Sequence, residues 1–84
     1  TIDLRVERDG RLMARDCAFE ASVAGDAPPA GELWEFKFVS AGMLVPTRRR
    51  TDKHHPNAHR VCREVQRAHE ASLSLRQVVD MVAG

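Results

Sequence analysis

Six cations crowd into the short stretch 48–63: Arg48, Arg49, Arg50, Lys53, Arg60 and Arg63 stand there against Asp52, a local net charge of +5. Such a block can neutralise phosphates and release their counterions, or it can meet the carboxylates of an acidic protein. Arg60, Arg63 and Arg67 have the i, i+3, i+7 spacing that places three side chains on one helix stripe. The plainer use of such a block is a solvated face balancing acidic charge elsewhere. That acidic charge is present. Residues 1–47 carry five cations and eight anions, net −3, and the segment after 63 is net −1, so the whole-chain +1 conceals a dipolar sequence. Domains dedicated to nucleic acid are usually strongly basic overall, and this chain is not.

His55, His59 and Cys62 lie four and three apart, so a helix could bring them toward one metal ion, with His54 or His69 as a fourth ligand. No second Cys or His pair follows at a zinc-finger distance. Cys62 reads more simply as a small apolar helix residue. Cys17 or Cys62 with a histidine, or Ser40, Ser72 or Ser74 with His69, would be the raw material of a covalent nucleophile. None is accompanied by an elbow or oxyanion-hole pattern, and the glycines fit neither phosphate-loop nor dinucleotide spacing. The expectation is a non-enzymatic protein with no cofactor and no metal. Trp34, Phe36 and Phe38 are three of the chain's four aromatic residues. On an open sheet face they could stack on unpaired bases, but with so few other large side chains they are needed for the core.

With 84 residues the chain has room for one small domain, 1–84, and its 43% hydrophobic and 30% charged content is ordinary for a globular protein. A chain of this size buries only about 60–65% of its unfolded surface, so the core is thin and a second copy could complete it as a homodimer. Val78, Val79, Met81 and Val82 form a stripe for that contact or for the core. Two cysteines do not make a disulfide framework, no signal peptide is visible, and no apolar run approaches the roughly 20 residues of a membrane span. The expected setting is the cytoplasm. Thr1 fits either removal of an initiator Met or a domain cut from a longer chain.

These side chains must be positioned by elements that the hydropathy pattern outlines. Ile2, Leu4 and Val6 alternate with Asp3, Arg5 and Glu7, the period of a half-buried strand, and Asp9-Gly10 signals a hairpin turn. A two-residue turn pairs Val6 with Met13, whereas a bulged three-residue turn pairs Val6 with Leu12; the pattern leaves both registers open. The second strand is expected to run on to about Val23. Residues 25–31, rich in Gly and Pro, form an exposed connection. A third strand covers 33–40 and a short fourth covers 43–45, ended by Pro46, with a basic loop over 47–55. Pro56 suits the first turn of a helix in which Ala58, Val61, Val65 and Ala68 recur, with Cys62 and His69 beside them. Ser74 and Gln77 resemble a capping box for a second helix or a kinked continuation.

The resulting fold is α+β: a small antiparallel sheet of three to four strands, an N-terminal hairpin and then a second hairpin, packed by one or two C-terminal helices. The favoured function is a small binding module, a regulator or inhibitor, whose basic residues Arg48, Arg49, Arg50, Lys53, Arg60 and Arg63 dock an acidic protein surface. The rival readings are phosphate contacts to a nucleic acid by the same residues and a small metal- or thiol-dependent enzyme.

Overall fold

The computed structural model describes the backbone of residues 1–83 and the side chains of residues 1–72. Among the described residues six strands, β1 (Ile2–Val6), β2 (Leu12–Met13), β3 (Ala18–Phe19), β4 (Ser22–Val23), β5 (Leu33–Ser40) and β6 (Met43–Arg49), precede one helix, α1 (His59–Ala83). The strands form one sheet in the order β3-β2-β1-β5-β6-β4, antiparallel at each junction except β4 with β6, which is parallel. The class is α+β. The expected three to four antiparallel strands are corrected to a mixed sheet of six, and of the one or two helices expected the described residues form one, 25 residues long, that continues through Ser72 and Ser74. β3 and β4 occupy opposite edges of the sheet, yet only Glu20 and Ala21 separate them in sequence. Three Cα steps span at most about 11 Å, so the sheet has to curl until its edges nearly meet.

The first hairpin takes the bulged register, with Val6 opposite Leu12 and Arg5 opposite Met13. Glu7 N–H donates to the Arg11 carbonyl at 2.9 Å, which closes a three-residue turn in which Gly10 has a φ of 86°. Glycine is favoured in that left-handed position, and a three-residue hairpin loop of this kind needs one. The expected long second strand breaks at Arg15 and Asp16. Ala14 N–H donates to the Cys17 carbonyl at 2.9 Å, so the chain turns back and β3 pairs with β2, Leu12 opposite Phe19. The alternation of buried and exposed residues fails at this place, because Arg15, Asp16 and Cys17 are all exposed.

The fourth strand also differs from expectation. β6 passes through Pro46 and takes in Thr47, Arg48 and Arg49, which the hydropathy pattern assigns to a loop. Proline is tolerated because the register slips here: Glu35 faces Arg48 and Phe36 faces Pro46, leaving Thr47 as a bulge. The Thr47 hydroxyl donates to the Glu35 carbonyl at 3.0 Å and so supplies a bond at the irregular step.

Ile2, Leu4, Val6, Leu12, Ala14, Phe19, Phe36, Phe38, Leu44 and Cys62 make one core on the inner face of the curled sheet, with Trp34 and Val65 packed against it. α1 lies over it with Cys62 fully buried, His59 edge-on to Phe19 at 5.5 Å and His69 stacked on Phe38 at 5.8 Å. The inward face of α1 therefore runs through Cys62, Val65 and His69. Ala68, expected in the apolar stripe, is exposed and Val61 is half-buried. The side chains of Val78, Val79, Met81 and Val82, and the Ser74–Gln77 pair, lie outside the described residues. Among the described residues no helix is long and apolar enough to cross a membrane.

Candidate functional site

The basic stretch divides into two parts with different surroundings. The first part is already neutralised by its own chain. Arg48 Nε meets Glu35 Oε2 at 3.1 Å, and Arg49 Nη2 meets Glu32 Oε2 at 3.1 Å. Arg50 Nη1 lies 3.2 Å from both oxygens of Asp3 and 3.4 Å from Glu35, while its Nε is 3.2 Å from Asp52. Lys53 Nζ donates to Asp3 Oδ2 at 2.7 Å. These contacts follow from the strand register. Asp3 and Glu35 are opposite each other in the β1–β5 ladder, and Glu35 is opposite Arg48 in the β5–β6 ladder, so the period of two sets all three on the outer face.

Arg50 and the residues after it then form a strap across that face. Arg50 N–H donates to the Leu33 carbonyl at 2.8 Å, Arg5 Nη2 donates to the His54 carbonyl at 3.0 Å, and Asn57 closes the strap against β1. Asn57 N–H donates to the Asp3 carbonyl at 2.9 Å, Asp3 N–H donates to Asn57 Oδ1 at 2.7 Å, and Arg15 N–H donates to the Asn57 carbonyl at 2.9 Å. One asparagine thus takes the place of a strand residue beside Asp3, where β2 has turned away. Asp3 is 5% exposed, so its carboxylate requires the two cations it holds.

The charges in this network shift in the directions these contacts dictate. The hydrogen bond from Arg48, followed by that from Thr47 and the charge of Arg50, lowers the Glu35 carboxyl despite an opposing desolvation. The hydrogen bond from Arg50 lowers Asp52 in the same way. Arg50 itself is raised, first by its bond to Asp52 and then by the charges of Asp3, Asp52 and Glu35.

The second part of the basic stretch is on α1. Asp16, in the β2–β3 turn, accepts the His59 N–H at 2.8 Å and so caps the helix from a distant point of the chain. That bond lowers the Asp16 carboxyl. With its start fixed there, α1 points Arg60, Arg63 and Arg67 into an open groove of about 650 Å³ whose other lining comes from Ala18 of β3 and Glu20 just after it, with His59 and Glu64. All three arginines are exposed, and among the described residues none forms an ion pair.

Among the described residues the metal, thiol and base-stacking candidates are not brought together, and the side chain of Ser74 lies outside them. Cys62 points into the core, His59 packs on Phe19, and His55 stands exposed in the strap. Among the described residues no three His, Cys, Asp or Glu side chains are close enough to share an ion. Burial pushes the Cys62 thiol up to about 11, the opposite of what a nucleophile needs. Trp34, Phe36 and Phe38 face the core rather than an open surface. Sequence reasoning missed Asn57, Asp3 and Asp16. Only Asp3 left a signal, as an acidic residue inside an apolar alternation. Comparison of the chain with protein-family models, with curated proteins and with solved structures gives no match.

Proposed function

We propose that this protein is a binding module that docks an acidic segment of another protein through Arg60, Arg63 and Arg67. The observation that carries the reading is the division of the cations: Arg50 and Lys53 are held by Asp3, whereas the helix stripe is exposed and unpaired among the described residues. A guanidinium that already meets Asp3, Glu35 and Asp52 has little left for a partner. Arg48 and Arg49 are more than half exposed, so their pairs are weak and they can serve as peripheral contacts.

The groove favours a protein over a nucleic acid. Its three arginines share the lining with Glu20 and Glu64, which leaves a small net positive charge. A nucleic acid draws its affinity from many phosphate contacts at once, and a groove with three arginines and two glutamates offers few. A short run of carboxylates needs only the three arginines. Occlusion of such a segment is the way a small regulator or inhibitor would act.

The test compares poly-L-glutamate with a mixed-sequence single-stranded 20-mer by fluorescence anisotropy across a salt series. Binding to poly-L-glutamate that disappears in the triple variant Arg60→Glu, Arg63→Glu, Arg67→Glu, with thermal unfolding unchanged, is the expected result. Tighter binding to the 20-mer, with a log–log salt slope of several units, would replace this reading with the nucleic-acid one. Absence of poly-L-glutamate binding at low salt would end it.

A further inference from the structure

β3 stands at the end of the sheet and, among the described residues, pairs only with β2. Its register determines which of its backbone groups are free. Ala14 and Cys17 are bonded to each other across the turn, and Leu12 and Phe19, two residues further along each strand, are the next facing pair. In an antiparallel ladder bonded pairs alternate with unbonded ones, so Phe19 spends its N–H and C=O on β2. The N–H and C=O of Ala18 must then point outward, away from β2, and the N–H of Glu20, the first residue after β3, would continue that outward set. Among the described residues neither Ala18 nor Glu20 has a hydrogen-bond partner outside that ladder. Ala18 of β3 and Glu20, directly after it, also line the arginine groove.

We infer that the groove accepts an extended acidic peptide as an added strand on β3, held by backbone bonds at Ala18 and Glu20 and by carboxylates on Arg60, Arg63 and Arg67. This rests on the acidic-partner reading above and specifies how the partner binds. The spacings agree. Alternate side chains of a strand are about 6.7 Å apart. Along a helix Arg60 and Arg63 differ by about 4.5 Å, and Arg63 and Arg67 by about 6 Å. Acids at alternate positions of the added strand therefore fall within the reach of these flexible side chains. The short length of β3 and the charge of Glu20 keep the edge from pairing indiscriminately with other chains.

The experiment uses the full chain and the labelled peptide acetyl-(Glu-Val)4-amide, with two analogues N-methylated on one or the other alternate set of residues. An added strand turns only one set of its amides toward β3. One analogue is therefore expected to lose about tenfold or more in affinity while the other binds like the parent. In the parent complex the Ala18 and Glu20 amides should gain protection from hydrogen exchange. Equal binding by the parent and both analogues, or binding of poly-L-glutamate without the parent peptide, overturns strand addition and leaves the acidic-partner reading standing. Failure of the peptide and of poly-L-glutamate alike overturns both. On the protein side, Ala18→Pro removes the outward N–H while leaving the β2 ladder donors in place. If it folds, it should weaken the parent peptide but not poly-L-glutamate.

Discussion

Arg50 and Asp3, 47 positions apart, meet with one guanidinium nitrogen 3.2 Å from each oxygen of the carboxylate. This pair fastens the end of β6 and the strap behind it to the first strand, and it turns part of an outwardly basic sequence into an internal tie. Removing the carboxylate should be costly, because Arg50 and Lys53 would then be left half-covered with fewer partners. Asp3→Ala is expected to destabilise the fold by about 3 kcal/mol in urea unfolding. The double variant with Arg50→Ala should lose less than the two single changes added together. Arg49→Ala, at an exposed pair, should stay within about 0.5 kcal/mol of the parent.

Asn57 should behave as a structural residue of β1. Asn57→Ala deprives the Asp3 N–H of its acceptor beside a buried side chain, at a cost of about 1–2 kcal/mol. Hydrogen exchange gives the specific readout: the Asp3 amide should exchange faster by a larger factor than the amides of β5.

The acid limb of stability should be set in part by Asp16, Glu35 and Asp52. All three carboxyls are lowered in the folded chain, from ordinary values of 3.8, 4.5 and 3.8. A lowered carboxyl binds fewer protons folded than unfolded, so its contribution is complete above the unfolded value and is lost as pH falls through the folded one. Melting temperature should therefore be insensitive to these groups from neutrality to about pH 5 and should decline below about pH 4. The double variant Asp16→Asn, Glu35→Gln should start lower and fall less steeply over that range. An unchanged slope would show that these contacts do not persist in solution.

The two thiols should differ sharply in reactivity. Cys17 is exposed in the β2–β3 turn, and Cys62 is buried with its thiol pushed up to about 11. A disulfide reagent at pH 8 should titrate one thiol per native chain and two in denaturant. Cys62→Ser should destabilise by about 1–3 kcal/mol, since it places a hydroxyl in the apolar core.

Much of the architecture was written in short-range pattern. β5 covers the 33–40 expected from its alternation, β1 follows Ile2, Leu4 and Val6, and Gly10 marks the hairpin it closes. These are local signals: a period of two, or a residue that tolerates positive φ. The breaks were harder. Nothing before the structure distinguished a strand running from Arg11 to Val23 from three short ones, because Arg15 and Asp16 have the same polarity whether they face solvent or make a turn. What decides the turn is Asp16 capping α1 and Arg15 donating to Asn57, both contacts to residues more than forty positions away.

The candidate site divides in the same way. Composition and spacing by themselves determined that the chain is dipolar, that its cations gather at 48–63 and that Arg60, Arg63 and Arg67 share a helix stripe. Only the tertiary structure decided which of those cations are spent. Charge along a sequence counts every arginine alike, whereas pairing depends on distance in space. The β1–β5–β6 register sets Asp3 and Glu35 beneath Arg48, Arg50 and Lys53, while the capped helix carries its own arginines out beside an unpaired strand edge.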